Sequence, residues 1–237
     1  MGFQNIFKRY ETKYLITKEQ QEAILNAVSD YIKPDEYGKS TICNVYYDTP
    51  DYLLIRRSLE KPMYKEKLRL RSYGVANEST TVFAEIKKKY DGVVYKRRIN
   101  TNESKAFELC EGKSSDTPSQ IEKEILYLVD RYKGIEPKVF LSYEREAFYA
   151  KDDDEFRITF DRNILWRNHD VNLNSGVYGS PILLRNQSLM EVKCAGAMPL
   201  WFVKVLTENG IYKTSFSKYG RAYEAICRND LGGKIYA

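Results

Sequence analysis

Basic residues recur at every second position in one short run of this sequence: Lys65, Lys67, Arg69 and Arg71, separated by Glu66, Leu68 and Leu70. Alternate side chains of an extended strand share a face, so the run lines one side of a sheet with four cations. Like charges held that close repel one another, and a polyanion lying along the strand removes the penalty. The alternation returns at Glu85, Lys87 and Lys89, at Lys96 and Arg98, at Tyr143 and Arg145, and at Glu191 and Lys193. Several strands therefore direct charge at one shared space. Glu191 stands between Met190 and Val192 on an apolar strand, where burying a carboxylate is costly unless a positive group answers it. A hard divalent ion, Mg²⁺ or Mn²⁺, bridging carboxylate and phosphate oxygens would do so.

Transfer of a phosphoryl group from a triphosphate needs positioning, in-line geometry and charge neutralisation more than covalent help from a protein. Arg69, Arg71 and Arg145 suit two-point hydrogen bonds to phosphate oxygens, while Lys13, Lys87, Lys96 and Lys218 act as point charges that can follow a sliding chain. An acceptor that is the ionised end of a phosphate chain requires no general base, whereas water does. The single histidine, His169, lies in a polar segment with nothing beside it that forms a Ser/His/Asp or Cys/His arrangement, and reads as a loop residue. Glu11 could orient a water, which keeps hydrolysis open.

The elements that must position these groups are mostly strands. Ile6–Ile16 reads as the first, and Thr17-Lys18-Glu19-Gln20 is a capping-box signature opening a helix to about Tyr31, ended by Pro34. Further strands are expected over Thr41–Asp48, Met63–Tyr73, Thr80–Tyr90, Val93–Asn100, Lys138–Tyr149, Glu155–Arg162 and Ser188–Lys193, with Asp91-Gly92 as a tight turn. Helices are expected over Glu103–Cys110, Ser119–Tyr132, Pro199–Asn209 and Ser217–Arg228. The pattern predicts an α+β fold, an eight-stranded antiparallel β-barrel with flanking helices, whose interior is wet or occupied because it holds Arg and Lys.

Composition bounds the function. The 38 basic residues are nearly balanced by 33 acidic ones, for a net charge of +5, so placement rather than total carries the basicity. Nucleic acid is disfavoured as a partner, because the tyrosines follow strand periodicity rather than a stacking platform. The 237 residues fit one large domain spanning 1–237. Cys43, Cys110, Cys194 and Cys227 form no CxxC pair, which argues against a zinc ribbon and for reduced intracellular thiols. No signal peptide or membrane span is read, and a cytoplasmic location is expected.

Six segments occur in a telling order: Arg9-x-Glu11-x-Lys13-Tyr14, Leu68-Arg69-Leu70-Arg71-Ser72-Tyr73-Gly74, Glu85-Ile86-Lys87, Ser142-Tyr143-Glu144-Arg145, Met190-Glu191-Val192-Lys193 and Phe216-Ser217-Lys218-Tyr219. Together they resemble the catalytic domain of the VTC-type polyphosphate polymerases, within the triphosphate tunnel metalloenzyme (CYTH-like) superfamily, over about Phe7 to Ala225. The resemblance implies ATP and inorganic polyphosphate or triphosphate as partners and an eight-stranded tunnel with a glutamate-held Mn²⁺ or Mg²⁺. It implies Lys13, Arg69, Arg71, Lys87, Arg145 and Lys218 as catalytic cations. Arg9, Lys67, Lys96, Arg98, Tyr143, Lys193 and Ser217 would bind substrate, and Glu191, Glu11 and Glu85 the metal. Hydrolytic members commonly open with Glu-x-Glu-x-Lys, and Arg9 at the first position of that pattern favours the polymerase branch. A product handed to a membrane would need an unseen partner.

Plainer readings stand beside these. The Lys65 to Arg71 run alone could be the solvated face of an edge strand. Glu85 reads equally as a metal ligand or as the ion-pair partner of a neighbouring arginine. Lys88 is expected in solvent on the opposite face, Lys65 at the tunnel mouth or outside it, and Asp152-Asp153-Asp154 in a solvated turn. Lys218 follows a helix-cap serine, where a cation is electrostatically misplaced unless a phosphate shares the helix N-terminus. A triphosphatase and a non-catalytic polyanion-binding module remain alternatives, and Glu191 is the feature that favours catalysis.

Overall fold

The computed structural model describes residues 10–91, 93–113 and 116–233, so Arg9 lies outside the described residues. Thr17 caps the first helix as its spacing to Gln20 predicts. Its hydroxyl accepts from the Gln20 amide at 3.2 Å while the Gln20 side chain accepts from the Thr17 amide at 3.0 Å. In chain order the elements are β1 (Tyr10–Thr17), α1 (Lys18–Val28), β2 (Ile32–Asp48), α2 (Leu53–Leu59), β3 (Tyr64–Tyr73), β4 (Val82–Tyr90), β5 (Val93–Thr101), α3 (Glu103–Cys110), α4 (Gln120–Arg131), β6 (Glu136–Ala150), β7 (Arg157–Arg167), β8 (Ser180–Pro181), β9 (Gln187–Cys194), α5 (Leu200–Glu208), β10 (Lys213–Thr214) and α6 (Lys218–Gly233).

Among the described residues eight strands are long, as the sequence predicts, and β8 and β10 add two residues each. Hydrogen-bonded neighbours follow the order β10-β1-β9-β7-β6-β2-β3-β4-β5, with β8 on β7. The β1 pairs with β9 and β10, the β2–β3, β3–β4 and β4–β5 pairs and the β7–β9 pair are antiparallel. The class is α+β. Two local readings change. Helix α1 ends at Val28, and Pro34 lies inside β2, near the start of a strand, where a missing amide is tolerated. Helix α2 has no side-chain cap at Tyr52, because its first-turn amides are met from a few residues upstream: Thr49 Oγ1 accepts from the Leu53 amide at 2.8 Å, and Asp48 from the Leu54 amide at 2.8 Å and the Ile55 amide at 3.0 Å.

The chain divides into two compact units. The first comprises Met1–Thr41, Tyr143–Ile164 and Pro181–Phe216. Its core gathers Ile24 and Val28 of α1, Ile158 and Phe160 of β7, Met190 and Val192 of β9, and Phe202 and Val205 of α5. The second comprises Ile42–Ser142, Leu165–Ser180 and Ser217–Ala237. There Leu68 and Leu70 of β3 and Val82, Ala84 and Ile86 of β4 are wholly buried with Ile125 and Leu128 of α4. Burying each large aliphatic side chain contributes roughly 1.5–3 kcal/mol, which fixes the strand register and holds the intervening charged residues on the other face. No helix among the described residues is long and apolar enough to cross a membrane.

Candidate active site

In the second unit the strand registers stack the predicted cations in rows. One row runs Tyr46, Arg69, Glu85 and Arg98 across β2 to β5, and the next runs Lys67, Lys87 and Lys96 across β3 to β5. Arg69 holds Glu85 Oε2 through Nε at 2.6 Å, and Lys96 stands 2.6 Å from Glu85 Oε1. Arg71 lies 4.0 Å from the same carboxylate and donates through Nε to Asn44 Oδ1 at 3.0 Å. Burial by itself would raise the Glu85 carboxyl, but Arg69, Arg71 and Lys96 together hold it down at about 2. Three cations around one carboxylate leave the cluster positive. Lys96 feels the result: burial and the two arginines push its ammonium down to about 8 against the pull of Glu85. Lys67 donates to Ser217 Oγ at 3.4 Å, and Arg98 lies over the Phe83 ring at 4.8 Å.

The start of α6 is fixed to this face. Ser217 accepts from the Gly220 amide at 3.1 Å, as an N-cap does, and Lys218 is half-buried in the first turn. The Tyr219 hydroxyl donates to Asp48 Oδ2 at 2.8 Å, so the carboxylate that meets the α2 amides also anchors α6.

In the first unit the β1–β9–β7 registers align Lys13, Glu191 and Thr159, and beside them Glu11, Lys193 and Arg157. Lys13 Nζ lies 3.2 Å from Glu191 Oε1 and 3.4 Å from Glu11 Oε1, and Lys193 Nζ lies 3.7 Å from Glu11 Oε2. Arg145 reaches Glu191 Oε2 through Nη2 at 3.2 Å and lies over the buried Tyr143 ring at 5.1 Å. Its other contacts are with Asp161, wholly buried, at 2.6 and 2.7 Å. Burial opposes the Arg145 charge, but Asp161 and Glu191 hold its pKa well above the ordinary value.

Several placements differ from expectation or were not foreseen. Lys88 is half-buried rather than solvated: it pairs with Glu124 of α4 at 3.5 Å, and Arg97 meets the same carboxylate at 3.0 Å. A helix packed over that face supplies the partner. Lys65 donates to the Ser58 carbonyl at 3.0 Å, at the C-terminal end of α2, where a cation is favourable. Asp152 to Asp154 and His169, by contrast, are exposed in loops as expected. Asp161, Asn44 and Tyr46 went unnoticed, although Thr159 and Asp161 alternate with Ile158 and Phe160 and so carried a period-two signal.

The VTC domain family model matches residues 8–227. This chain belongs to the VTC domain family. It is 27% identical over 177 residues to the vacuolar transporter chaperone complex subunit 4 of Schizosaccharomyces pombe, a match taking in 65% of this chain and 24% of that protein. The match thus spans about a quarter of the curated relative's length. A candidate adenylate cyclase from Bacillus halodurans shares the fold with a TM-score of 0.55 at 13% identity, over 90% of this chain and 94% of its own. Another from Vibrio parahaemolyticus does so with a TM-score of 0.50 at 14% identity, over 93% and 99%. The fold is therefore one that these two solved structures share.

The VTC domain's donor set can be weighed against a divalent ion. Among the described residues no three His, Cys, Asp or Glu side chains gather to hold one. Glu11 and Glu191, however, both turn an oxygen toward the Lys13 ammonium, so two hard carboxylates already share one positive charge. One or two carboxylates, completed by water and substrate phosphates, is the ordinary way in which proteins hold Mg²⁺, and Mn²⁺ takes the same oxygen donors. The pair fits such an ion. Glu85 presents a different environment, its two oxygens each facing a cation.

Proposed function

We propose that this VTC domain is a metal-dependent phosphotransferase that moves the γ-phosphoryl group of ATP onto the end of an inorganic polyphosphate chain and releases ADP. The observation that carries the reading is the concentration of cations on one face of β3 to β5. Lys67, Lys87 and Lys96 stand side by side, next to a Glu85 that is outnumbered by Arg69, Arg71 and Lys96. Such a face is self-repulsive without an anion and becomes favourable when phosphates lie on it. Arg69, Arg71 and Lys87 engage phosphate oxygens there, with Lys67, Lys96, Arg98 and Ser217 extending the contacts. Lys218 adds a charge at a helix start whose amides favour the same ligand.

In the first unit Lys13 and Arg145 supply charge beside Glu191, with Tyr143 under the guanidinium and Lys193 beside Glu11. Glu191 and Glu11 would hold Mn²⁺ or Mg²⁺, which as a Lewis acid would offset charge on the phosphoryl oxygens. The acceptor is an ionised phosphate, so no base is required, which agrees with His169 standing exposed in a loop. A cytoplasmic setting and a membrane-bound partner that takes the product belong to the same proposal.

The test is product analysis. Purified protein, ATP and manganese should give ADP and chains longer than three phosphates by phosphorus NMR and gel electrophoresis. ADP with an equal amount of orthophosphate and no chain longer than three phosphates would replace this reading with a triphosphatase. Oligophosphate binding with no turnover would leave a polyanion-binding module.

A further inference from the structure

Tyr46 is a buried aromatic that belongs to neither apolar core. Its register pairs it with Arg69, so its ring lies on the cationic face of the second unit, while its neighbours Val45 and Tyr47 enter the core. The ring stacks on Tyr219 at 4.7 Å with planes 20° apart, and Arg69 Nη1 donates to the Tyr46 hydroxyl at 3.1 Å. Tyr219 is fixed in turn, because its own hydroxyl is committed to Asp48. The phenol is thus held by a stack from α6 and a hydrogen bond from β3.

That arrangement leaves one proton unaccounted for. A guanidinium only donates, so the Tyr46 oxygen accepts from Arg69 and its own O–H must point elsewhere. Among the described residues no acceptor is within hydrogen-bond range of it. The charged groups facing it from β3 are Arg69, Lys67 and Arg71, all donors, and Glu85 of β4 is held by Arg69. From α6 Tyr219 presents its ring. A buried hydroxyl surrounded by donors is suited to an anionic acceptor brought by a ligand.

We propose that Tyr46 is a further substrate-contacting residue, donating its phenolic proton to an oxygen of the oligophosphate that Arg69 also engages. The inference rests on the phosphate-binding reading given above and adds a neutral donor to a site described so far only by its charges. It makes binding proton-linked. Burial opposes ionisation of the Tyr46 phenol, but Arg69, Lys67 and Arg71 bring it down to about 8 without ligand. A bound polyanion neutralises those cations, so the phenol regains its ordinary reluctance to ionise and takes up a proton above that pH. Lys96 loses its charge in the same range, so an affinity profile alone does not separate the two groups. A tyrosinate absorbance does.

The experiment uses the whole chain, inorganic tripolyphosphate as probe and a chelator to exclude metal, in buffer just above pH 8. Calorimetry gives affinity, and near-ultraviolet difference absorbance reports tyrosinate. Wild-type protein should bind with loss of tyrosinate absorbance. Tyr46→Phe, which keeps the stack, should bind roughly tenfold or more weakly, with no such spectral change. Tyr219→Phe should keep the spectral change, since Tyr46 retains its hydroxyl. Wild-type binding with no loss of tyrosinate, or Tyr46→Phe affinity equal to wild type, overturns the role of Tyr46 and leaves the phosphate-binding reading standing. Wild-type protein that does not bind tripolyphosphate overturns both.

Discussion

Arg145 grips Asp161 through two parallel hydrogen bonds, Nε to Oδ1 at 2.6 Å and Nη2 to Oδ2 at 2.7 Å. The fork that suits a phosphate is thus occupied by a carboxylate of the protein itself, and Arg145 offers an incoming anion its charge and its remaining donors. The same Nη2 reaches Glu191, so one guanidinium orients the carboxylate proposed to hold the metal.

Arg145→Ala should therefore do more than remove a phosphate contact. It strips the two-point guanidinium contact from the buried Asp161 carboxylate, and breaking a buried pair in this way costs up to about 3–5 kcal/mol. Adding Asp161→Ala should recover part of that stability without restoring activity, because the buried negative charge has gone but the cation has not returned. Denaturant unfolding of the two single variants and the double variant checks this. Strictly additive losses would show that the pair is not coupled.

Glu191→Gln keeps the shape of the side chain and removes the charge that would hold a divalent ion. Turnover should collapse and its metal dependence disappear. In chelator, tripolyphosphate should bind as well as or better than to wild type, since a negative charge has left a site facing Lys13 and Arg145. A well-folded variant with the wild-type response to manganese would remove Glu191 from the metal shell.

The Glu85 cluster carries a pH signature. The folded carboxyl titrates at about 2 against an ordinary value of 4.5, so its stabilisation is complete above the ordinary value and is lost as pH falls toward 2. The difference corresponds to on the order of 3 kcal/mol. Glu85→Gln should be less stable than wild type at neutral pH by an amount of that order, and the gap should close progressively below about pH 4.5. Thermal unfolding at a series of acid pH values measures it, and a gap independent of pH would show that Glu85 is not held ionised by its cations.

The strand faces were legible because period-two alternation is a local property: Leu68 and Leu70 are wholly buried where the sequence puts them inside, and Lys67 and Arg69 stand opposite. Helix α2 was not legible, since its first amides are met by Thr49 and Asp48 several residues upstream rather than by a residue in the N-cap position itself. The role of Lys65 was lost with it, because its acceptor is the Ser58 carbonyl of that helix. Asp161 was missed for a related reason: an acidic residue in a strand shows its use only when the opposite charge on another strand is known. Charge patterns reveal which face is functional, and pairings between distant segments reveal which charges are already matched.

Lys87 and Lys88 are neighbours in sequence on opposite faces of β4, which makes them a direct test of the cationic face. Lys88 with Arg97 and Glu124 forms a partly exposed ion-pair group against α4, of a kind worth about 1 kcal/mol or less. Lys87 stands between Lys67 and Lys96 in the row proposed to carry phosphate. Lys88→Ala should lower stability slightly and leave tripolyphosphate affinity and turnover near wild type. Lys87→Ala should weaken tripolyphosphate and lessen the salt dependence of binding, while relief of repulsion within the row keeps the fold at least as stable. Calorimetric titrations of both variants at low and high ionic strength separate the two faces. Equal weakening by the two substitutions would mean that affinity follows the overall charge of the chain and not this face of β3 to β5.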